Sequence, residues 1–99
     1  MRESQIEKFL VEKVKGLGGE VRKVQWVGRK DAPDRLMMLP HMTYVGDDVH
    51  LLPTTIWVEL KATGEKARPS QLREHARMRA MGQRVLVIDS IEGVEELLA

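Results

Sequence analysis

One stretch, Ile56 to Lys61, limits the fold more than any other. It is dense in large and β-branched residues, which suit a strand. It also alternates: Ile56, Val58 and Leu60 fall on one face, Trp57, Glu59 and Lys61 on the other. A carboxylate and an ammonium therefore stand side by side on what reads as an interior strand. Charges inside a domain are costly unless they are paired or hold a metal. Either Glu59 and Lys61 form a salt bridge on a solvated sheet face, or the fold builds a site around them. The next residues narrow the topology. Residues 63–69 form a loop, Ser70 is a helix N-cap, and the helix runs to about Met81, with Leu72, Ala76 and Ala80 inward and Gly82 ending it. Val85-Leu86-Val87-Ile88 is a continuous apolar run, the pattern of a strand buried on both faces. Strand, helix and strand in that order make a parallel, right-handed unit.

The remaining elements assemble around this unit. Arg2 to Leu17 has Ile6, Phe9, Leu10, Val14 and Leu17 at helical spacing, ended by glycines. Glu20 to Val27 and Asp34 to Leu39 read as strands, the second stopped by Pro40. Between them and Ile56, Met42–Val45 and Val49–Leu52 suggest a small hairpin turning at Gly46-Asp47-Asp48 and closed by Pro53. The order is αβββαβα, with a possible extra hairpin at 41–55: an α/β chain with a mixed sheet flanked by helices. Ninety-nine residues suffice for one domain, 1–99, and leave no room for a second core.

Cysteine is absent, which excludes a disulfide scaffold, a Cys-type zinc site and a thiol nucleophile. No apolar run approaches the roughly 18 residues of a membrane span and no signal pattern opens the chain, so a cytoplasmic protein with no membrane partner is expected. Charge is unevenly spread. Residues 1–59 carry nine basic and nine acidic side chains, residues 60–84 seven and two, and residues 85–99 none and four. The excess over 60–84 is either a solvated helix face or a surface that meets an anion.

Chemistry concentrates in an ordered set. Pro33-Asp34 opens a strand, Glu59 and Lys61 sit on the next long strand, and a helix opens near Gln71. Singly, Pro-Asp is a turn and Glu-x-Lys a surface pair. Together, two carboxylates on adjacent strands can converge on one hard cation, and magnesium needs little more than two carboxylates and a backbone carbonyl because it keeps several waters. A neighbouring lysine can orient or help deprotonate a water, or neutralise phosphoryl charge. His41, His50 and His75 show no metal-ligand spacing and read as lone surface histidines. His75, one turn after Gln71, is the one that could face the same cleft.

This set resembles the VRR-NUC domain family of the PD-(D/E)XK nuclease superfamily, in its stand-alone phage and bacterial form. The resemblance spans nearly the whole chain: Glu7, Lys23, Ala32-Pro33-Asp34-Arg35-Leu36, Trp57-Val58-Glu59-Leu60-Lys61, Pro69-Ser70-Gln71, then Gly82 and Arg84-Val85-Leu86-Val87-Ile88-Asp89. Two features depart from the family pattern. Asp31-Ala32 stands where a glycine is common, and 41–55 is longer than the usual turn.

The resemblance implies a restriction-endonuclease-like core and a Mg²⁺- or Mn²⁺-dependent endodeoxyribonuclease. Asp34, Glu59 and the Leu60 backbone carbonyl would hold the metal, and Lys61 would be the catalytic lysine. Gln71 would position Lys61 or the attacking water. Glu7, or alternatively Glu3, would bind a water of the metal or a second metal. Lys66, Arg68, Arg73, Arg77, Arg29 and Lys30 would hold phosphates. Phosphate contacts carry no sequence information, so the expected substrate is branched DNA, a four-way junction or flap, cut by a homodimer. The alternative is a non-catalytic nucleic-acid-binding or assembly subunit with the same fold.

Overall fold

A computed structural model of the chain describes residues 1–45 and 48–98, and within 41–53 the backbone alone. The elements are α1 (Glu3–Gly16), β1 (Glu20–Lys23), β2 (Arg35–Val45), β3 (Asp48–Leu60), α2 (Pro69–Ala80), β4 (Val85–Ile88) and α3 (Ile91–Leu97). They form one sheet in the order β1-β2-β3-β4, with β1/β2 and β2/β3 antiparallel and β3/β4 parallel. The order αβββαβα is the one expected from sequence. No helix among the described residues is long and apolar enough to cross a membrane.

The alternation in β3 divides the molecule into layers. Ile56, Val58 and Leu60 join Met37 and Ile88 in a core completed by Ile6, Leu10 and Val14 of α1 and Val94 of α3. The opposite face carries Trp57 and Glu59 and is covered by α2. Glycines close α1 and α2 in the same way. After α1, the Gly18 N–H donates to the Lys15 carbonyl (3.0 Å) and the Gly19 N–H to that of Val14 (2.9 Å). After α2, the Gly82 N–H donates to Arg79 (2.9 Å) and the Gln83 N–H to Met78 (3.1 Å). Gly18 and Gly82 have φ of +85° and +84°, the left-handed position that this helix ending requires. Gly19 serves a second purpose, since a Cβ there would lie 2.2 Å from the Met38 carbonyl oxygen. Only glycine lets the helix end meet β2 so closely.

Four expectations are corrected. Pro40 and Pro53 do not stop strands. They face one another inside a β2–β3 ladder that continues from Arg35↔Val58 to Val45↔Asp48. The Asp34 carbonyl accepts from the Val24 N–H, and the Trp57 N–H donates to the Arg84 carbonyl. Counting by alternation from those bonds, both prolines turn their nitrogens away from each other and from the ladder. Neither removes a ladder bond, so the expected hairpin is the far end of β2 and β3 themselves. The expected Gly46-Asp47-Asp48 turn, and the side chains of His41 and His50, lie outside what is described.

Second, the inward face of α2 is Gln71, Glu74, His75 and Met78, while Leu72 is half exposed. The helix lies on the charged face of β3 and turns its polar stripe toward it. Third, β4 is an edge strand whose cover is incomplete: Val85 on the α2 face and Ile88 on the core face are buried, but Val87 on the α2 face is exposed. Fourth, the N-cap of α2 is Arg68. Pro69 occupies the first turn, where its missing N–H costs nothing, and the Gln71 Oε1 accepts from the Arg68 N–H at 2.9 Å.

Leu10→Ala, which empties a fully buried position, should lower unfolding free energy by about 2–5 kcal/mol in urea titrations. Leu72→Ala, on the solvent side of α2, should change it by about 0.5 kcal/mol or less. A large loss at Leu72 would contradict the orientation of α2.

Candidate active site

The β2–β3 register sets the geometry. Arg35 pairs with Val58, so one further step places Asp34 across from Glu59, both on the α2 face. Lys61 lies two residues beyond Glu59 on the same face. The main-chain groups of Trp57 and Lys61 turn toward β4, bonding Arg84 and Ile88, and those of Val58 and Leu60 therefore turn toward β2. At the Leu60 level that side offers Pro33, which has no N–H. The Leu60 carbonyl is left outside the ladder beside the two carboxylates.

Glu59 is 7% exposed. Burial pushes its carboxyl up to about 7 against the pull of Lys61, with the charges of Asp34 and Glu3 adding to the rise. A carboxylate crowded by other carboxylates is a place that a cation relieves. Among the described residues no three His, Asp or Glu side chains cluster to hold a metal, so a cation here would rely on two carboxylates and the Leu60 carbonyl and keep its waters. That donor set fits a hard ion such as Mg²⁺.

His75 is fully buried under α2, its Nε2 3.3 Å from the Glu59 Oε1. Burial first, then the Arg79 charge, holds its pKa below the usual value. The ring is thus neutral, and an ionised Glu59 selects the tautomer whose Nε2–H donates to it. Nδ1 then has no partner among the described residues. Gln71 is buried as well, its carbonyl oxygen committed to the helix cap. Only its NH₂ can serve Lys61 or a water.

Arg35 ties the first helix to the site. Its Nε donates to the Glu7 Oε2 at 2.7 Å, with a second contact from Nη2, and its Nη1 reaches the Asp34 Oδ1 at 2.9 Å. Burial works against the Arg35 charge, but Glu7 and Asp34 outweigh it and raise its pKa. Glu7 is therefore linked to Asp34 through Arg35, while Glu3 is the α1 carboxylate whose field reaches Glu59.

The expected phosphate-binding cations divide into two groups. Lys30, Lys66 and Arg73 have no partner among the described residues, Arg73 lying on the side of α2 away from the sheet. Arg68 rests 3.4 Å from Asp31, and its field reaches Glu59. Arg29 and Arg77 are committed elsewhere, since both bind Glu74. Arg29 donates through Nε (2.8 Å) and Nη2 (2.6 Å), and Arg77 through Nε (2.9 Å). Glu74 is 3% exposed. The hydrogen bond from Arg29 is the main cause holding its carboxyl down at about 2, although burial opposes it.

Glu74 and Arg35 escape a reading that looks only for apolar stripes. The signal is the polar set Gln71, Glu74, His75 at helical spacing ahead of Met78: a buried helix face written in polar residues.

No family model matches the chain. The protein named "Putative nuclease p44", from Acyrthosiphon pisum secondary endosymbiont phage 1, is 46% identical over 90 residues, covering 91% of this chain and 85% of that protein. A solved structure described as a VRR_NUC domain matches with a TM-score of 0.78 and 36% identity, over 97% of this chain and 92% of that one.

The raised Glu59 pKa predicts an inverted pH dependence. The folded state binds this proton more tightly than the unfolded chain, so the group destabilises the metal-free fold as pH rises from about 4.5 to about 7. Without metal, Glu59→Gln should stabilise the protein at pH 8 by up to about 3 kcal/mol, with most of the gain gone by pH 5. Thermal unfolding at both pH values in EDTA tests this; an equal or opposite effect at pH 8 refutes it.

Proposed function

The chain belongs to the VRR-NUC family, a nuclease family, and from that premise we propose that it is a metal-dependent endodeoxyribonuclease of the PD-(D/E)XK kind that selects branched DNA. The observation that carries the reading is the placement of Asp34, Glu59 and Lys61 on one face where β3 leaves the sheet, with a buried Glu59 that a cation would relieve. A module that only binds DNA gains nothing from two carboxylates facing a polyanion.

Asp34, Glu59 and the Leu60 carbonyl would hold Mg²⁺ or Mn²⁺. When bound, such an ion lowers the pKa of a water and offsets charge on the phosphoryl group. The side chains supply the remainder. Lys61 sets an ammonium beside the phosphate, where it orients the nucleophilic water or balances developing charge. The Gln71 NH₂ fixes Lys61 or that water. His75 holds the Glu59 carboxylate in one orientation. Arg35 does the same for Asp34, backed by Glu7. Lys66 and Arg68 are the cations best placed to grip the backbone near the cut. Among the described residues no helix or strand stands beside them as a reader of base sequence, which favours shape over sequence. A chain of this size offers little surface to a branched substrate, so a homodimer is the proposed active form.

With Mg²⁺ or Mn²⁺ and a panel of junction, flap and linear DNAs, Asp34→Asn and Glu59→Gln should each abolish cleavage. Lys61→Ala should lose most turnover with a much smaller loss of metal affinity by calorimetry, because its interaction belongs to the transition state. Full activity in either carboxylate variant overturns the assignment. Tight DNA binding with no cleavage under any divalent cation favours the non-catalytic alternative.

Lys66→Ala with Arg68→Ala should weaken binding to all DNAs alike. The slope of log affinity against log salt should shrink by about 0.9 for each phosphate that the variant no longer neutralises. Arg77→Ala should leave the slope unchanged and lower stability instead, since its charge is spent on Glu74.

A further inference from the structure

The α2 face of the sheet holds a second feature beside the carboxylates. A cavity of about 240 Å³ opens between the loop after β1, the middle of β3 and the end of α2. Trp26 and Trp57 form one side, Met78 and Met81 another, and Arg29, Glu74 and Gln83 its polar margin. The indole rings pack on each other, centroids 5.1 Å apart and tilted by 44°, and both remain partly exposed. Both indole N–H groups are spent inside the protein. Trp26 donates to the Pro33 carbonyl at 2.8 Å and Trp57 to the Gln83 Oε1 at 3.0 Å.

What remains for an occupant is specific. The walls are aromatic faces and thioether chains. The unspent groups at the margin are the Gln83 NH₂, whose oxygen is taken, and the Arg29 Nη1, which has no partner among the described residues; the Glu74 carboxylate beside them already accepts from Arg29 and Arg77. A flat aromatic group with carbonyl or ring-nitrogen acceptors on its edge matches this lining, and the volume accommodates one such ring system. Trp57 stands two residues before Glu59 on the same strand face, about 6.6 Å away along β3. An occupant of the cavity is therefore within one nucleotide's reach of the carboxylates. Lys30 and Arg84, exposed and with side chains unpartnered among the described residues, adjoin the lining residues Arg29 and Gln83 in the chain and add positive charge to those segments.

We propose that this cavity receives one unpaired nucleobase of the DNA strand whose neighbouring phosphodiester lies against Asp34 and Glu59. The inference rests on the nuclease reading and adds its means of selection: a base stacked in continuous duplex cannot enter the cavity, whereas one beside a branch or gap enters without the cost of being pulled from the stack.

The chain's two tryptophans both line the cavity, so intrinsic fluorescence reports its filling against no other indole. The full chain is titrated in EDTA, where cleavage cannot occur, with three DNAs: a duplex carrying one unpaired base, the same duplex with an abasic residue at that position, and its fully paired counterpart. The first should quench the fluorescence and bind about tenfold or more tightly than the other two, as base–aromatic stacking is usually worth. Met81→Glu, at a position 71% exposed, should abolish both the quench and the preference while thermal unfolding stays as in the wild type. If that variant does not fold, Gln83→Ala should reduce the preference in its place.

Equal quenching by the abasic duplex, or saturated binding by anisotropy with no quench, overturns the proposal. So does a Met81→Glu variant that changes the oligomeric state when no DNA quenches the wild type, since the cavity is then an interface between copies. Failure here with Mg²⁺-dependent cleavage intact removes the cavity alone. A fully active Asp34→Asn variant with the quench intact removes the catalytic assignment and leaves the cavity.

Discussion

The antiparallel register between β2 and β3 is the constraint on which both core and site depend. Arg35 opposite Val58 and Met37 opposite Ile56 send the aliphatic side of each strand to α1 and α3, and the same step sets Asp34 against Glu59. Because side chains alternate with a period of two, a slip of one residue would expose the core face and separate the carboxylates. Burial of Ile56, Val58 and Leu60 thus fixes the position of Asp34 and Glu59, ionisable groups that the apolar core does not contain. Packing on one face sets the spacing of carboxylates on the other.

The α2 face solves the complementary problem of covering ionisable groups without neutralising them all. Glu74 is satisfied completely, by two arginines, and its cluster joins the helix to the loop leading to Asp34. The same loop is held by the Trp26 bond to Pro33 and by Arg68 near Asp31, whose φ of +67° is the one left-handed non-glycine among the described residues. Glu59 receives the opposite treatment. It has a neutral histidine and a nearby lysine but no hydrogen-bonded cation of its own among the described residues. One carboxylate is thus braced by cations and the other, on the strand beneath the helix, is left in want of a positive charge.

Much of this is legible in the residues. The alternation in Ile56–Lys61 marks the central strand and its two faces, Gly82 marks the helix end, and the Asp34, Glu59, Lys61 set lies where β2 and β3 place it. The misreadings share a physical origin. Apolar residues alone orient α2 wrongly, because its neighbour is a charged strand face; Gln71, Glu74 and His75 are buried and Leu72 is not. Ser70 has the side chain of a cap, but Pro69 moves the helix start and Gln71 supplies the acceptor. The run Val85–Ile88 reads as covered throughout, yet only Val85 and Ile88 are fully buried and Val87 is exposed, because hydrophobicity does not say that a strand lies at an edge. That Arg29 and Arg77 converge on one buried carboxylate depends on a contact across 45 residues, which local pattern does not encode.

The facing pair Pro40 and Pro53 has an effect on how the molecule behaves in a crowded solution. Beyond these residues β2 and β3 continue as a two-stranded arm, with β1 and β4 paired only nearer the sheet. Such an arm has two open edges, each able to recruit a stray strand and seed aggregation. At the base of the arm each edge meets a proline whose nitrogen carries no hydrogen, so an incoming strand finds no donor where it would first align. Paired to each other without loss, the two prolines act outward as gatekeepers, letting the ribbon be long while limiting its growth into a wider sheet.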